Sequence, residues 1–357
     1  MKILLFIDSL CSGGAQRQLV GLSKLLKEKS YDVTIMTYHK DEFYLPFLVN
    51  NGITYRYISK AENKKTRIFH IIRQIKKENP DVLISFLSTP NILSCIAKCF
   101  IGKMKLIVSE RNTTQYISLN EKIRFFLYRY ANVIVPNSYS QEEFIKQNYP
   151  HLKEKIKTIT NFVDINYFKP LNKKQQNNIP TIISVGRITP QKNILNYLAS
   201  LKLVVDKGFT FKAIWYGNTD RIEYYNACKS KIEELELNNY FEFRPATKFI
   251  RDEYQKNDIF CLPSIFEGFP NVLCEAMSCA LPVICSDVCD NYRIVGHERS
   301  GILFNPNKVD EIANAIAKML NYSSKERESM GDFNRKRSIE MFSENTFIEK
   351  YLLHINC

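Results

Sequence analysis

At 357 residues the chain is longer than one hydrophobic core normally serves, so two domains are expected. Its 45% hydrophobic content is that of a globular protein, and no apolar run nears the ~20 residues that cross a bilayer. The net charge of +13 is lopsided: up to Pro170 there are 26 Lys+Arg against 14 Asp+Glu, or +12, and from Leu171 onward 24 against 23, or +1. A basic first half and a neutral second half argue for one face meeting a membrane surface, a phosphorylated acceptor or nucleic acid, against the plainer alternative of a solvated lysine-rich surface. The start, Met1 to Asp8, is too short for a signal peptide and reads as a first strand. The ten cysteines include no Cys-x2-Cys pair with nearby histidines, so no metal site is expected. Several lie in apolar runs, as Cys261 does in Ile259-Phe260-Cys261-Leu262, which predicts reduced, buried thiols and a cytoplasmic protein.

Strands and helices alternate from the start. Lys2 to Asp8 is strand-like, and Gln16 to Glu28 places Leu19, Leu22, Leu25 and Leu26 at helix-face spacing. Tyr31–Tyr38, Asp81–Phe86, Leu106–Ser109 and Asn132–Pro136 follow as strands with helical stretches between them. Two of those helices are basic. Thr66 to Lys77 sets Ile68, Ile71, Ile72 and Ile75 on one face, amid Arg67, Arg73, Lys76 and Lys77. Asn120 to Tyr130 interleaves Lys122, Arg124 and Arg129 with five aromatic or aliphatic side chains. Such helices suit an anionic membrane interface. The competing reading, that the apolar face is simply core, is preferred for the first helix; the second is apolar nearly all round and should expose some aromatics. No nucleic-acid motif is present, and none is expected to bind.

The polar, aperiodic run Lys169 to Asn178 reads as a linker and divides the chain into 1–168 and 169–341. A second alternating series begins at Thr181 and continues through Phe211–Tyr216, Phe241–Phe243, Ile259–Pro263, Val283–Ser286 and Ile302–Phe304. The pattern predicts an α/β protein with two Rossmann-like, doubly wound parallel sheets, whose ligand cleft lies at the carboxyl ends of the strands. Residues 342–355 look helical.

The most informative stretch runs from Glu267 through Gly268, Phe269, Pro270, Asn271 and Val272 to Glu275. It reads as an acidic loop residue, a glycine, and a helix opened by Pro270 at its first turn and closed before Pro282. Free amides around Asn271 and Val272 would make a positive pocket for phosphate. Glu267 and Glu275 on either side could accept hydrogen bonds from sugar hydroxyls. Upstream, Gly186 ends a strand and is followed by Arg187 and Lys192, a planar fork and a point charge suited to a diphosphate. Ser12-Gly13-Gly14-Ala15-Gln16 follows the first strand and lets backbone approach a phosphate closely.

The Glu267-to-Glu275 spacing resembles the E-x7-E signature of retaining glycosyltransferases. Val185 to Asn193 resembles the same family's strand-glycine-arginine-lysine segment, Gly13-Gly14 its amino-terminal loop, and Asn161-Phe162-Val163-Asp164 its domain junction. The chain is therefore similar to glycosyltransferase family 4, which implies a GT-B fold whose two sheets face across a cleft and whose terminal helix, here 342–357, packs back on an acceptor-binding first domain. The resemblance further implies that Arg187 and Lys192 stabilise the departing diphosphate and that Glu267 contacts the donor sugar. It gives Glu275 to the ribose, and Gly186, Gly217, Gly268, Phe269, Asn271 and Val272 to the donor's backbone cradle. Arg111 and Asn112, in a Ser-Glu-Arg-Asn run, could face the acceptor, or Arg111 could serve the neighbourhood of Glu110.

Three departures stand out. The segment Ser85 to Asn91 has no histidine where the family often carries one, so no base is assigned. The usual glycine pair and glutamate appear as Cys289-Asp290 and Arg293, and the usual G-x-G as Gly217-Asn218-Thr219. The expected activity is retaining, cofactor-free transfer of a sugar, from a UDP-linked hexose or N-acetylhexosamine, to a hydroxyl of a growing or lipid-diphosphate-linked surface glycan. The enzyme is expected at the inner membrane face. The absent histidine keeps open a non-catalytic nucleotide-sugar-binding subunit.

Overall fold

The computed structural model describes residues 1–114, 116–171, 177–296 and 298–356. Positions 172–176 of the expected linker lie outside the described residues. Two compact units form, one of Met1–Phe162 with Glu344–Cys357 and one of Val163–Ser343.

The first unit holds strands β1 (Lys2–Phe6), β2 (Asp32–Thr37), β3 (Thr54–Tyr57), β4 (Val82–Phe86), β5 (Lys105–Glu110) and β6 (Val133–Pro136). They pair in parallel in the order β3-β2-β1-β4-β5-β6. Strand side chains alternate between sheet faces, and here both faces are covered. Ile3 and Leu5 of β1 bury with Leu19, Leu22 and Leu26 of the helix Gly14–Glu28. Leu4 and Phe6 bury on the other side with Ile71 and Ile75 of the helix Arg67–Glu78. The isoleucine face of that basic helix is thus core, while Phe69 on its far side is 62% exposed. Strand β3 escapes a reading by hydrophobic pattern because Thr-Tyr-Arg-Tyr is a half-buried edge strand.

The second unit repeats the plan with β7 (Thr181–Val185), β8 (Lys212–Tyr216), β9 (Phe241–Arg244), β10 (Ile259–Leu262), β11 (Val283–Ser286) and β12 (Gly301–Phe304). These are also parallel, in the order β12-β11-β10-β7-β8-β9. The chain changes direction of winding between β7 and β10, and that is where α/β sheets of this type bind ligands. Two buried clusters sandwich the sheet, one around Ile182, Trp215 and Ile284 and one around Ile183, Phe260 and Val283.

The chain end differs in detail from expectation. One helix runs Ser324–Phe342, opened by a reciprocal Ser323–Glu326 capping box, and a separate helix Glu344–Ile355 follows the extended Ser343. Phe342 therefore ends the earlier helix, where its ring meets Phe269 edge-on at 5.7 Å. The terminal helix joins the first unit, with Phe347 set 4.8 Å from Phe162 between ring centroids.

Candidate functional site

At the carboxyl end of β7 the chain passes through Gly186 and Arg187 into a single tight turn, Pro190–Lys192. Asn193 ends that turn in the left-handed region (φ 59°, ψ 35°), which asparagine tolerates better than most residues. Its side-chain amide donates to the Pro306 carbonyl at 2.7 Å, fixing the turn to the loop after β12. The turn is also laced to the loop after β10. The Ile265 amide donates to the Gln191 carbonyl at 2.9 Å, and Gln191 Nε2 donates to the Phe266 carbonyl at 2.9 Å.

This lacing brings Lys192 Nζ to 2.5 Å from Glu267 Oε1, with side-chain exposures of only 13% and 9%. Gly186 and Gly217 permit the approach. A Cβ on Gly186 would stand 3.0 Å from Lys192 Cε, and one on Gly217 would stand 1.9 Å from the Gly186 carbonyl oxygen. That oxygen already accepts from Trp215 Nε1 at 2.9 Å, and the Gly186 amide donates to the Tyr216 carbonyl at 3.0 Å. Arg187 is exposed, and its side chain has no hydrogen-bond or ion-pair partner among the described residues.

The helix after Glu267 spans Asn271–Ser278. Pro270 therefore occupies its cap position rather than the first turn, with a carbonyl that accepts from the Leu273 amide at 3.1 Å. Asn271 and Val272 form the opening of the helix, where amides lack intrahelical acceptors and the dipole is positive. Glu275 points inward, 3% exposed, and accepts from the Tyr254 hydroxyl at 3.2 Å.

The departures noted in the sequence prove local in their geometry. Cys289 keeps a left-handed backbone (φ 49°) that glycine would adopt more cheaply, and burial pushes its thiol above the ordinary range. Burial likewise raises the Cys274 and Cys285 thiols well above theirs. Asn218 and Thr219 pin the β7 loop, the Asn218 carbonyl accepting from the Ile188 amide at 2.9 Å and Thr219 Oγ1 donating to the Ile188 carbonyl at 2.8 Å. Arg244, at the end of β9, was not anticipated. It donates to the Tyr216 hydroxyl at 2.9 Å and its carbonyl accepts from the Gly217 amide at 3.0 Å, so it frames the same edge of the sheet. The only sequence signal for it is a basic residue followed by proline at a strand end. A pocket of about 370 Å³ opens at the ends of β11 and β12, between Ile265, Asp287, Phe304 and Glu311.

The remaining candidates lie in the first unit. Gly13 caps the helix Gly14–Glu28, where a Cβ would stand 2.3 Å from Gln16 Oε1. Asn112 is exposed. Arg111 is buried: it stacks 4.0 Å over Phe86 and donates at 2.7 Å to Asn161 Oδ1 and at 2.7 Å to the Tyr351 hydroxyl of the terminal helix. Glu110 pairs with a different cation, Arg124, at 3.4 Å. Arg124 is 5% exposed and so drops out of the basic surface expected of its helix. The helix Leu119–Leu127 nevertheless continues into a tight turn, Tyr128–Tyr130, and exposes a stripe of Leu119, Ile123, Phe126 and Tyr130 beside Lys122 and Arg129. Among the described residues no group of His, Cys, Asp and Glu could hold a metal ion, and no helix is long and apolar enough to cross a membrane.

Comparison with known proteins bears on the family and the fold. A family model described as "Glycosyltransferase Family 4" matches residues 12–167, and one described as "Glycosyl transferases group 1" matches residues 166–337. The amylovoran biosynthesis glycosyltransferase AmsD of Erwinia amylovora is 28% identical over 80% of this chain and 81% of its own length. The UDP-Gal:alpha-D-GlcNAc-diphosphoundecaprenol alpha-1,3-galactosyltransferase of Escherichia coli is 26% identical over 87% of each. HepE of Anabaena, solved in complex with UDP, superposes with a TM-score of 0.86 over the whole of both chains at 18% identity. Two consecutive glycosyltransferase matches, laid over two six-stranded parallel sheets, make this chain a glycosyltransferase of the GT-B fold.

Proposed function

We propose that the protein is a retaining, metal-independent glycosyltransferase that moves a hexose or N-acetylhexosamine from a UDP-linked donor to a lipid-diphosphate-linked glycan at the inner membrane face. The observation that carries this reading is the enclosed meeting of Lys192 and Glu267 beside the helix start at Asn271. An ammonium, the exposed guanidinium of Arg187 and the positive end of a helix together offset the charge that grows on a departing diphosphate. They supply what a divalent cation supplies in other transferases. Glu275, buried with Tyr254, would receive the ribose hydroxyls, and Glu267 the sugar hydroxyls. Gly217, Gly268 and Phe269 would line the backbone cradle of the donor. With no histidine between Ser85 and Asn91, the acceptor proton would pass to the departing phosphate on the same face.

Support for the donor and acceptor classes comes from the substrates in the name of the Escherichia coli relative and from UDP in the Anabaena structure. A thermal-shift screen over UDP-, GDP- and dTDP-sugars tests the donor, because a ligand that binds only the folded state raises its melting point. Acceptor-dependent release of UDP by the purified protein then separates an enzyme from a binding subunit. Lys192→Ala and Glu275→Ala should each lower transfer by roughly tenfold or more while the fold survives. Full activity in both would remove the assignment.

The membrane is approached, on this reading, through the exposed stripe of Leu119, Ile123, Phe126 and Tyr130 with Lys122 and Arg129. Each basic residue near an anionic surface contributes about 1 kcal/mol, and the apolar side chains insert. Sedimentation with phosphatidylglycerol vesicles should fade as salt rises and should weaken in an Ile123→Ser, Phe126→Ser double variant. Binding indifferent to both would exclude this surface.

A further inference from the structure

Lys192 has an acid partner in Glu267 and, in the proposed reaction, a second one in the donor's β-phosphate. We infer that Glu267 is an internal competitor for Lys192 that lets the site distinguish a sugar-bearing donor from spent UDP; the inference rests on the proposed donor site.

The pair is held from both sides. The Lys192 stem lies over Gly186, where even a Cβ would come within 3.0 Å of Cε, and the Glu267 loop is tied down at Ile265 and Phe266 by the two bonds to Gln191. At 2.5 Å, and with both side chains largely enclosed, the contact is a charge-assisted hydrogen bond screened little by water. An arriving β-phosphate must share the ammonium with a carboxylate that repels it.

With the sugar still attached, its hydroxyls donate to Glu267 and occupy the carboxylate's remaining lone pairs, which relieves that conflict. Transfer breaks the bond between the sugar's anomeric carbon and the β-phosphate oxygen and forms one to the acceptor oxygen, whose proton goes to the departing phosphate. Once that proton is lost to solvent, UDP carries one more negative charge than the esterified donor. Glu267 has meanwhile lost its hydroxyl donors as the sugar leaves on the acceptor. Both anions then claim Lys192, and the tethered one wins. Glu267 thereby assists product release as well as sugar contact.

Calorimetric titration of UDP into the wild type, Glu267→Gln, Lys192→Met and the double variant tests this. Glu267→Gln should bind UDP about tenfold more tightly than wild type, within the usual range for coupled sites, while its transfer rate falls. The gain should vanish when Lys192 is also methionine. A gain in affinity is not a consequence of structural damage, so it separates this role from mere support of the loop. Should Glu267→Gln fail to fold, Glu267→Asp, which keeps the charge but withdraws it, should show a smaller gain. Equal or weaker UDP binding by Glu267→Gln, or a gain that persists without Lys192, overturns the inference. Failure of UDP to bind wild type and variants alike overturns the donor site with it.

Discussion

Replacing Arg124 with methionine is expected to destabilise the first unit by about 3–5 kcal/mol, the usual cost of removing one partner from a buried ion pair. The reason lies in what would remain. Glu110 is 2% exposed, and its carboxylate is held by Arg124 at 3.4 Å and by the hydroxyl of Tyr128, with Asn91 Nδ2 at 3.4 Å. Burial and the Glu110 charge push the Tyr128 phenol well above its usual range, so it stays protonated and donates. Asn91 is in turn held by Ser85 Oγ at 2.8 Å and donates to the Ser109 carbonyl at 2.9 Å. With Arg124 gone, a charge inside a nearly dry network has only neutral donors. Glu110→Leu combined with Arg124→Met removes both charges and should recover a large part of the loss. Urea denaturation followed by far-ultraviolet circular dichroism checks this. A loss under about 1 kcal/mol for the single variant would mean that the pair behaves like a surface salt bridge.

Gly217→Ala should lower transfer by about a hundredfold, the scale expected when a site is misplaced by an ångström. Its Cβ would fall 1.9 Å from the Gly186 carbonyl oxygen, which is backbone and already bonded to the Trp215 indole. The strand end must therefore shift, carrying Gly186 and the Lys192 stem that rests on it. Overpacking of this kind costs about 1–3 kcal/mol of stability, so the protein should still fold while the pairing of Lys192 with Glu267 is lost. Activity assayed at a temperature well below the variant's melting point separates the two effects. Wild-type turnover would show that the loop absorbs the methyl group without moving Lys192.

The two variants probe parts of the protein that were unequally legible before folding. The Gly186-to-Asn193 and Glu267-to-Glu275 segments announce themselves because each is local: strand, glycine, tight turn and helix start follow from neighbours in the chain. Pro270 was placed one position too far into its helix, a matter of which carbonyl closes the first turn. Cys289 stands in place of the family's usual glycine, yet its backbone lies in the left-handed region that glycine favours, which residue type alone does not reveal. Arg124 is where residue type misled: it reads as part of a basic helix surface and is buried. It and Arg111, read as facing the acceptor or serving Glu110, are held by partners that no spacing rule connects to them: Ser88, 36 positions away, for Arg124, and Tyr351, 240 positions away, for Arg111.

What the amino-acid order determined unaided was the alternation of buried strands with helices, hence two parallel sheets, and the strand-glycine-turn and loop-to-helix segments of the second. Apolar runs and turn residues act over a few neighbours, so their message survives without the fold. Which charges stay in water was decided only by tertiary structure. The partners of a buried ion arrive from distant segments, and desolvation is set by all of them at once, as Lys192 and Glu267 illustrate across 75 positions.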